Sequence, residues 1–185
     1  MRALETAPDD FAKPIATDAI RIERLLPGPR ERVWRYLTEP ELRRRWLAAG
    51  PLDLAPGGAV ELVFRNNDLS RDDDPPPAGY KAHGEESRLR GTILACEAPS
   101  FLAFTWGSEP NSSHVRFDLV EEGDRVRLIV THSRVTKRPM MTNVSAGWHV
   151  HLDLLAADME ERPAEGFWRS FRTVQPLYEQ RIPGA

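Results

Sequence analysis

A single cysteine, Cys96, stands among 185 residues. No disulfide can form within the chain, and no thiolate cluster can hold a metal. Apolar runs are short, and none approaches the ~18 residues of a membrane-crossing helix. Charge of one sign is also lacking: 25 Lys and Arg face 28 Asp and Glu, a formal net charge of -3. A dedicated nucleic-acid binder would show a basic excess or stripe. The one dense basic run, Arg43-Arg44-Arg45, is expected to form the solvated face of a helix. The chain has no glycine-rich phosphate loop and no G-x-S-x-G. Met1 to Lys13 carries Glu5, Asp9 and Asp10 without an apolar stretch, so no secretory signal is expected there. With the lone cysteine, this points to a cytoplasmic setting. The Asn-x-Ser sites at Asn111 and Asn143 are then chance matches.

What remains is ordinary for a folded domain: 41% hydrophobic and 29% charged residues, enough to bury a core. Residues 1–17 read as a mobile lead-in. Ile20 to Leu26 reads as a strand, closed by Pro27-Gly28-Pro29. Pro29 can open a short helix carrying Val33, Trp34 and Leu37. Thr38-Glu39-Pro40-Glu41 has the spacing of a capping box for a second short helix holding Leu42, Trp46 and Leu47. Leu52–Leu54 and Val60–Phe64 flank Pro56-Gly57-Gly58 as a hairpin. Residues 66–87 contain Asp72-Asp73-Asp74-Pro75-Pro76-Pro77 and are expected to form a long, exposed and mobile loop, dispensable for folding.

Four strands follow in close succession: Leu89–Glu97, Phe101–Trp106, His114–Glu121 and Arg125–Arg134. The turns between them are short, so the strands form an antiparallel meander. Parity places Leu102, Phe104 and Trp106 on one face, with Val115, Phe117 and Leu119, and with Val126, Leu128, Val130 and His132. Val144, Trp148, Leu152, Leu155 and Met159 then recur at helical spacing, one stripe of a long helix that ends before Pro163. Phe167 to Tyr178 is a last helical stretch, ended or kinked at Pro176. The elements make an α+β domain over 18–162, with a helical extension over 163–185. Its curved antiparallel sheet wraps a long C-terminal helix, and two short helices follow the first strand.

Four segments carry a resemblance to a known family. They are Arg30 through Leu37-Thr38-Glu39-Pro40-Glu41-Leu42 to Trp46, Leu54 to Gly58, Gly91 through Pro99 to Trp106, and Val130 to Ser133 with Gly147-Trp148-His149 and Leu152 to Leu155. In order and spacing this resembles the SRPBCC superfamily, of START-like, helix-grip architecture. Within it, the chain resembles bacterial homologues of the C-terminal domain of the activator of the heat-shock-protein-90 ATPase. The resemblance implies the helix-grip fold and a space between sheet and helix. It does not imply a reaction, because members share architecture and differ in ligand and activity.

The expected site is that space, lined by Trp46, Phe64, Phe104, Trp106, Phe117, His132, Trp148 and Leu152. Aromatic walls of this kind suit a small apolar or amphipathic molecule. Arg24 and His132 are candidate polar anchors, since both follow the inward parity of their strands. His149 and His151 lie about 200° apart on a helix and cannot share a metal. One is expected at the surface and the other partly packed. Cys96 has no partner base. No cofactor, metal or catalytic residue is expected. The expected partner is a small apolar ligand, with no nucleic acid and no membrane insertion, and a homodimer is left open. The leading function is binding without a reaction. An enzyme of the cyclase or hydrolase type in the same cavity is one alternative, and a chaperone-activator-like interaction module is another.

Overall fold

The computed structural model describes residues 10–183. Seven strands form one antiparallel sheet in the order β1-β2-β7-β6-β5-β4-β3. They are β1 (Lys13–Ala16), β2 (Ala19–Pro27), β3 (Ala59–Phe64), β4 (Ser87–Glu97), β5 (Phe101–Trp106), β6 (Ser113–Glu122) and β7 (Arg125–Ser133). The helices are α1 (Arg30–Thr38), α2 (Pro40–Arg43), α3 (Lys81–Gly84), α4 (Arg138–Met159) and α5 (Phe167–Arg181). The fold is α+β, and its long C-terminal helix is α4.

Alternation along the strands produces this arrangement. Ile20, Ile22 and Leu26 on β2 face the same side as Val126, Val130 and His132 on β7, and all are buried. Across the next ladder, Phe117 opposes Val130 and Leu119 opposes Leu128. One face of the sheet is thus apolar and needs cover. The cover is α4, whose Trp148, Leu152 and Leu155 are buried against it. Trp148 meets the Phe117 ring edge-on at 5.7 Å.

Several local expectations are corrected. Of the expected lead-in, residues 1–9 lie outside the described residues. Lys13–Ala16, however, forms an edge strand on β2, and Phe11 and Ala12 are buried. Thr38 does not cap α2. It is the last residue of α1, and its hydroxyl donates back to the Trp34 carbonyl at 2.8 Å. Leu52–Leu54 forms no regular strand, but the expected pairing is there in irregular form: Leu52 bridges Val60, the Asp53 amide donates to the Ala59 carbonyl (2.9 Å) and the Glu61 amide to that of Pro51 (3.0 Å).

Arg43 is not solvated. It is 1% exposed, and its guanidinium donates to the carbonyls of Leu37, Thr38, Ala48 and Gly50. These are carbonyls at the end of α1 and in the turn after α2 that would otherwise lack partners. Burial lowers the Arg43 pKa to about 10, still high enough to keep its charge. Arg44 and Arg45 do lie at the surface, paired with Glu41 and Asp158.

The segment between β3 and β4 is mostly exposed, as its composition predicts, yet it is anchored. The Asp73 carboxylate accepts from the backbone amides of Trp168 (2.9 Å) and Arg169 (3.1 Å), and the Ser70 hydroxyl accepts from that of Phe167 (3.0 Å). Together they cap the first turn of α5 from a distance of 95 residues or more in the chain. Gly166 permits the approach, since a Cβ there would collide with the Asp73 carboxylate. The helix then runs through Pro176 without ending.

Candidate functional site

A cavity of about 700 Å³ lies between the sheet, α4, α5 and the 66–87 segment. Each wall has a separate origin. The sheet supplies Phe64, Leu89, Trp106 and His132. From α4 come Val144, Gly147, Trp148 and His151, on one stripe at three- and four-residue spacing. The 66–87 segment supplies Tyr80, and α5 supplies Phe167, Trp168 and Phe171. Tyr80 lies edge-on to Phe171 at 4.9 Å and its hydroxyl donates to Asn143 of α4, so the outer wall is tied to the helix.

Of the residues expected here, Phe64, Trp106, His132 and Trp148 line the cavity. Trp46, Phe104, Phe117 and Leu152 do not. All four are buried in the core, where Phe104 and Phe117 support Trp106 and Trp148 from behind. The Trp46 indole donates to the Tyr36 carbonyl at 2.9 Å, away from any open space. Strand parity reports which face a side chain takes, but not how far the core extends before the cavity begins.

Arg24 points inward but is not in the cavity wall. Its guanidinium donates to Asp153 at 2.8 and 3.0 Å and to the carbonyls of Asp10 and Glu23. This ion pair belongs to a network with His149 and Tyr178. The Tyr178 hydroxyl accepts from the Ala12 amide at 2.7 Å and bonds His149 Nδ1 at 2.9 Å. His149 Nε2 faces Asp153 at 3.4 Å. Burial dominates the electrostatics: it raises the Asp153 carboxyl against the pull of Arg24, and it lowers His149 to about 3. The network joins α4 to β2, to α5 and to the segment before β1.

His132 and His151 are the two buried imidazoles in the cavity wall. The Trp148 indole, which can only donate, gives its N–H to His132 Nδ1 at 3.0 Å. The proton of the neutral ring is therefore on Nε2, directed at the Ser113 hydroxyl at 2.8 Å. Burial, with a smaller contribution from His114, lowers the His132 pKa to about 4. His151 is 7% exposed, and its Nδ1 lies 2.7 Å from the Trp46 carbonyl oxygen. Burial lowers its pKa to about 4 against the opposing effect of that hydrogen bond. The expectation of one surface histidine among His149 and His151 is overturned, since both are buried. Each has a backbone or side-chain partner that composition alone does not reveal.

Gly147 stands in the middle of α4, where glycine costs about 1 kcal/mol relative to alanine. No neighbour demands it: a Cβ at this position would meet nothing within 4 Å. The missing side chain leaves that volume to the cavity.

Tyr80 and the α5 aromatics were beyond the sequence reading of the site. The available signals were Tyr80 as the lone aromatic of a polar segment and the aromatic density of Phe167, Trp168 and Phe171. Among the described residues no group of three His, Cys, Asp or Glu side chains gathers as metal ligands. No described helix is long and apolar enough to cross a membrane.

Comparison with known proteins agrees with this architecture. Residues 27–160 match the profile of a family described as Activator of Hsp90 ATPase homolog 1-like protein. A Bordetella parapertussis protein solved by NMR is similar at 39% identity over 100% of this chain and 97% of its own, with a TM-score of 0.78. CalU16 of Micromonospora echinospora is similar at 25% identity, covering 90% and 89% of the two chains, with a TM-score of 0.66. DynU16, described as a protein in the dynemicin biosynthetic locus, shares the fold at 20% identity and a TM-score of 0.62, over 82% of this chain and 51% of its own. No curated protein matches the chain.

Proposed function

This chain belongs to the family of Activator of Hsp90 ATPase homolog 1-like proteins, and from that premise we propose that it binds a small apolar or amphipathic molecule in the cavity between sheet and α4, without changing it chemically. The observation that carries the proposal is the cavity itself, about 700 Å³ and mostly apolar, with seven Phe, Tyr and Trp side chains in its wall and open space beside Gly147. Its volume lies within the range of about 300–1,000 Å³ typical of small-molecule sites. Marginally stable proteins rarely keep open apolar volume, because filling it would add dispersion contacts and remove apolar surface from water. Binding is driven by the burial of apolar surface, at about 25 cal/mol per Å² before association costs.

Binding without a reaction is favoured by the state of the wall histidines. Burial holds His132 and His151 neutral, and neither has a carboxylate partner among the described residues. A base with a pKa near 4 is poorly matched to proton abstraction at neutral pH. DynU16, which shares the fold, comes from a dynemicin biosynthetic locus, and this adds natural-product scaffolds to the ligands to be titrated. A cytoplasmic setting belongs to the same proposal, consistent with a lone, half-buried Cys96.

The test is a titration of purified protein with aromatic acids, fatty acids and polyketide-like molecules, read by intrinsic fluorescence. Three of the five tryptophans, Trp106, Trp148 and Trp168, line the cavity, so occupancy perturbs the emission. Saturable binding of at least one class is expected. Flat titrations throughout, with native mass spectra of freshly purified protein showing no adduct, would sink the proposal.

A further inference from the structure

The cavity is apolar along most of its wall, so an open hydrogen-bonding atom in that wall selects what enters. His132 offers none, because both its ring nitrogens are engaged. His151 differs. A carbonyl oxygen can only accept, so the 2.7 Å contact with Trp46 fixes a proton on Nδ1. The neutral ring then has a bare lone pair on Nε2, and the only hydrogen bond of this ring among the described residues is the one through Nδ1. His151 is 93% buried by the same exposure that makes it 7% accessible, and it lines the cavity.

The surroundings of His151 define the group it would receive. The Phe167 and Phe64 rings flank it at 4.8 and 6.5 Å between centroids. The imidazole therefore has two aromatic rings as neighbours, beside which a ligand's aromatic ring packs at offset or edge-on angles. The α4 wall of the cavity runs from Lys137, exposed at the start of the helix, to buried His151. Fourteen residues at 1.5 Å each make this wall about 20 Å long. A ligand that came in from the exposed Lys137–Met140 end would lead with the group that His151 meets.

We propose that His151 Nε2 reads a hydroxyl carried on the buried aromatic end of the ligand, so that the cavity prefers a phenol-type terminus over an ether, a bare ring or a carboxylate. The inference rests on the cavity reading above and adds the polarity of one position to it. A phenolic O–H supplies the missing donor. An ether oxygen or carboxylate presents a second acceptor to the lone pair, and a bare ring removes it from water with nothing in return.

The experiment is calorimetric titration of the full chain with 4-phenylphenol, 4-methoxybiphenyl, biphenyl and biphenyl-4-carboxylate. Wild type is expected to bind 4-phenylphenol about tenfold more tightly than 4-methoxybiphenyl, the scale of one net hydrogen bond. His151→Asn retains an amide donor for the Trp46 carbonyl and replaces the Nε2 lone pair by an amide oxygen on a shorter side chain, away from the Nε2 position. It is expected to bind 4-phenylphenol and 4-methoxybiphenyl alike, and His151→Phe, which has no acceptor, is expected to do the same, with melting temperatures confirming that each variant folds. Equal affinity of wild type for 4-phenylphenol and 4-methoxybiphenyl overturns the assignment to His151 and leaves the cavity reading standing. The wild-type comparison decides even where a variant fails to fold. Absence of wild-type binding to all four compounds counts against the cavity reading itself.

Discussion

The Trp148 indole N–H lies 3.0 Å from His132 Nδ1, joining the middle of α4 to the end of β7 at the wall of the cavity. The bond orients both rings and fixes the tautomer of His132. His132→Leu leaves the buried Trp148 donor unpaired, which costs about 1–3 kcal/mol. Urea denaturation measures the loss, and no change in stability would show that water satisfies the indole instead.

Three buried histidines give the protein a steep acid dependence. His132 and His151 have folded pKa values of about 4 and His149 about 3, all below the ordinary 6.5. Below pH 6.5 the unfolded chain therefore binds protons that the folded chain refuses. The stability from keeping these rings neutral is complete above pH 6.5 and falls as the pH drops toward 4. With three groups the slope approaches about 4 kcal/mol per pH unit near pH 5. Denaturation midpoints at pH 7.5, 6.5, 5.5 and 5.0 should be level between the first two and fall sharply afterwards. A flat profile to pH 5 would contradict the burial of these rings.

Asp73 holds the 66–87 segment to α5. Asp73→Ala removes the acceptor for the Trp168 and Arg169 amides and should cost about 1 kcal/mol, as for other lost helix caps. Limited proteolysis of the variant should cut within 66–87 faster than in wild type. Gly166→Ala should behave similarly, because its Cβ displaces the same carboxylate. Equal cleavage rates in wild type and both variants would show that this segment is not held by its cap.

Leu152 is fully buried on the face of α4 that covers the sheet. Leu152→Ala should cost about 2–5 kcal/mol. A loss below about 0.5 kcal/mol would mean that α4 docks by another face.

The parts of the fold legible in the sequence are those governed by local period. Alternation in Leu102, Phe104 and Trp106, and again in Val126 to His132, identifies the inward face of a half-exposed sheet. The stripe from Val144 to Met159 identifies the covering helix. Those rules bring Trp106, His132 and Trp148 to the space that the family resemblance implies, and Phe64 comes to it by its place in the hairpin. Phe117 follows the same alternation and lies in the core, because period assigns a face and says nothing of depth, and Trp46, expected at the site from its short helix, lies in the core as well. The outer wall was hidden for another reason. Asp72-Asp73-Asp74 reads as solvated when taken locally, but Asp73 finds its partners 95 residues away at the start of α5. Arg43 was misread in the same way, since its four carbonyl acceptors exist only once α1 and the following turn are folded.

The central claim is that the open space beside Gly147 receives a ligand. A Cβ there meets nothing within 4 Å, so Gly147→Leu should project into the cavity while gaining helix propensity. Gly147→Ala serves as the control that stabilises the helix but intrudes little. The deciding measurement is the affinity of wild type, Gly147→Ala and Gly147→Leu for one ligand that binds wild type, taken with their melting temperatures. The account predicts that Gly147→Leu melts at or above the wild-type temperature and binds at least tenfold more weakly, with Gly147→Ala close to wild type. Undiminished binding by a well-folded Gly147→Leu would contradict it.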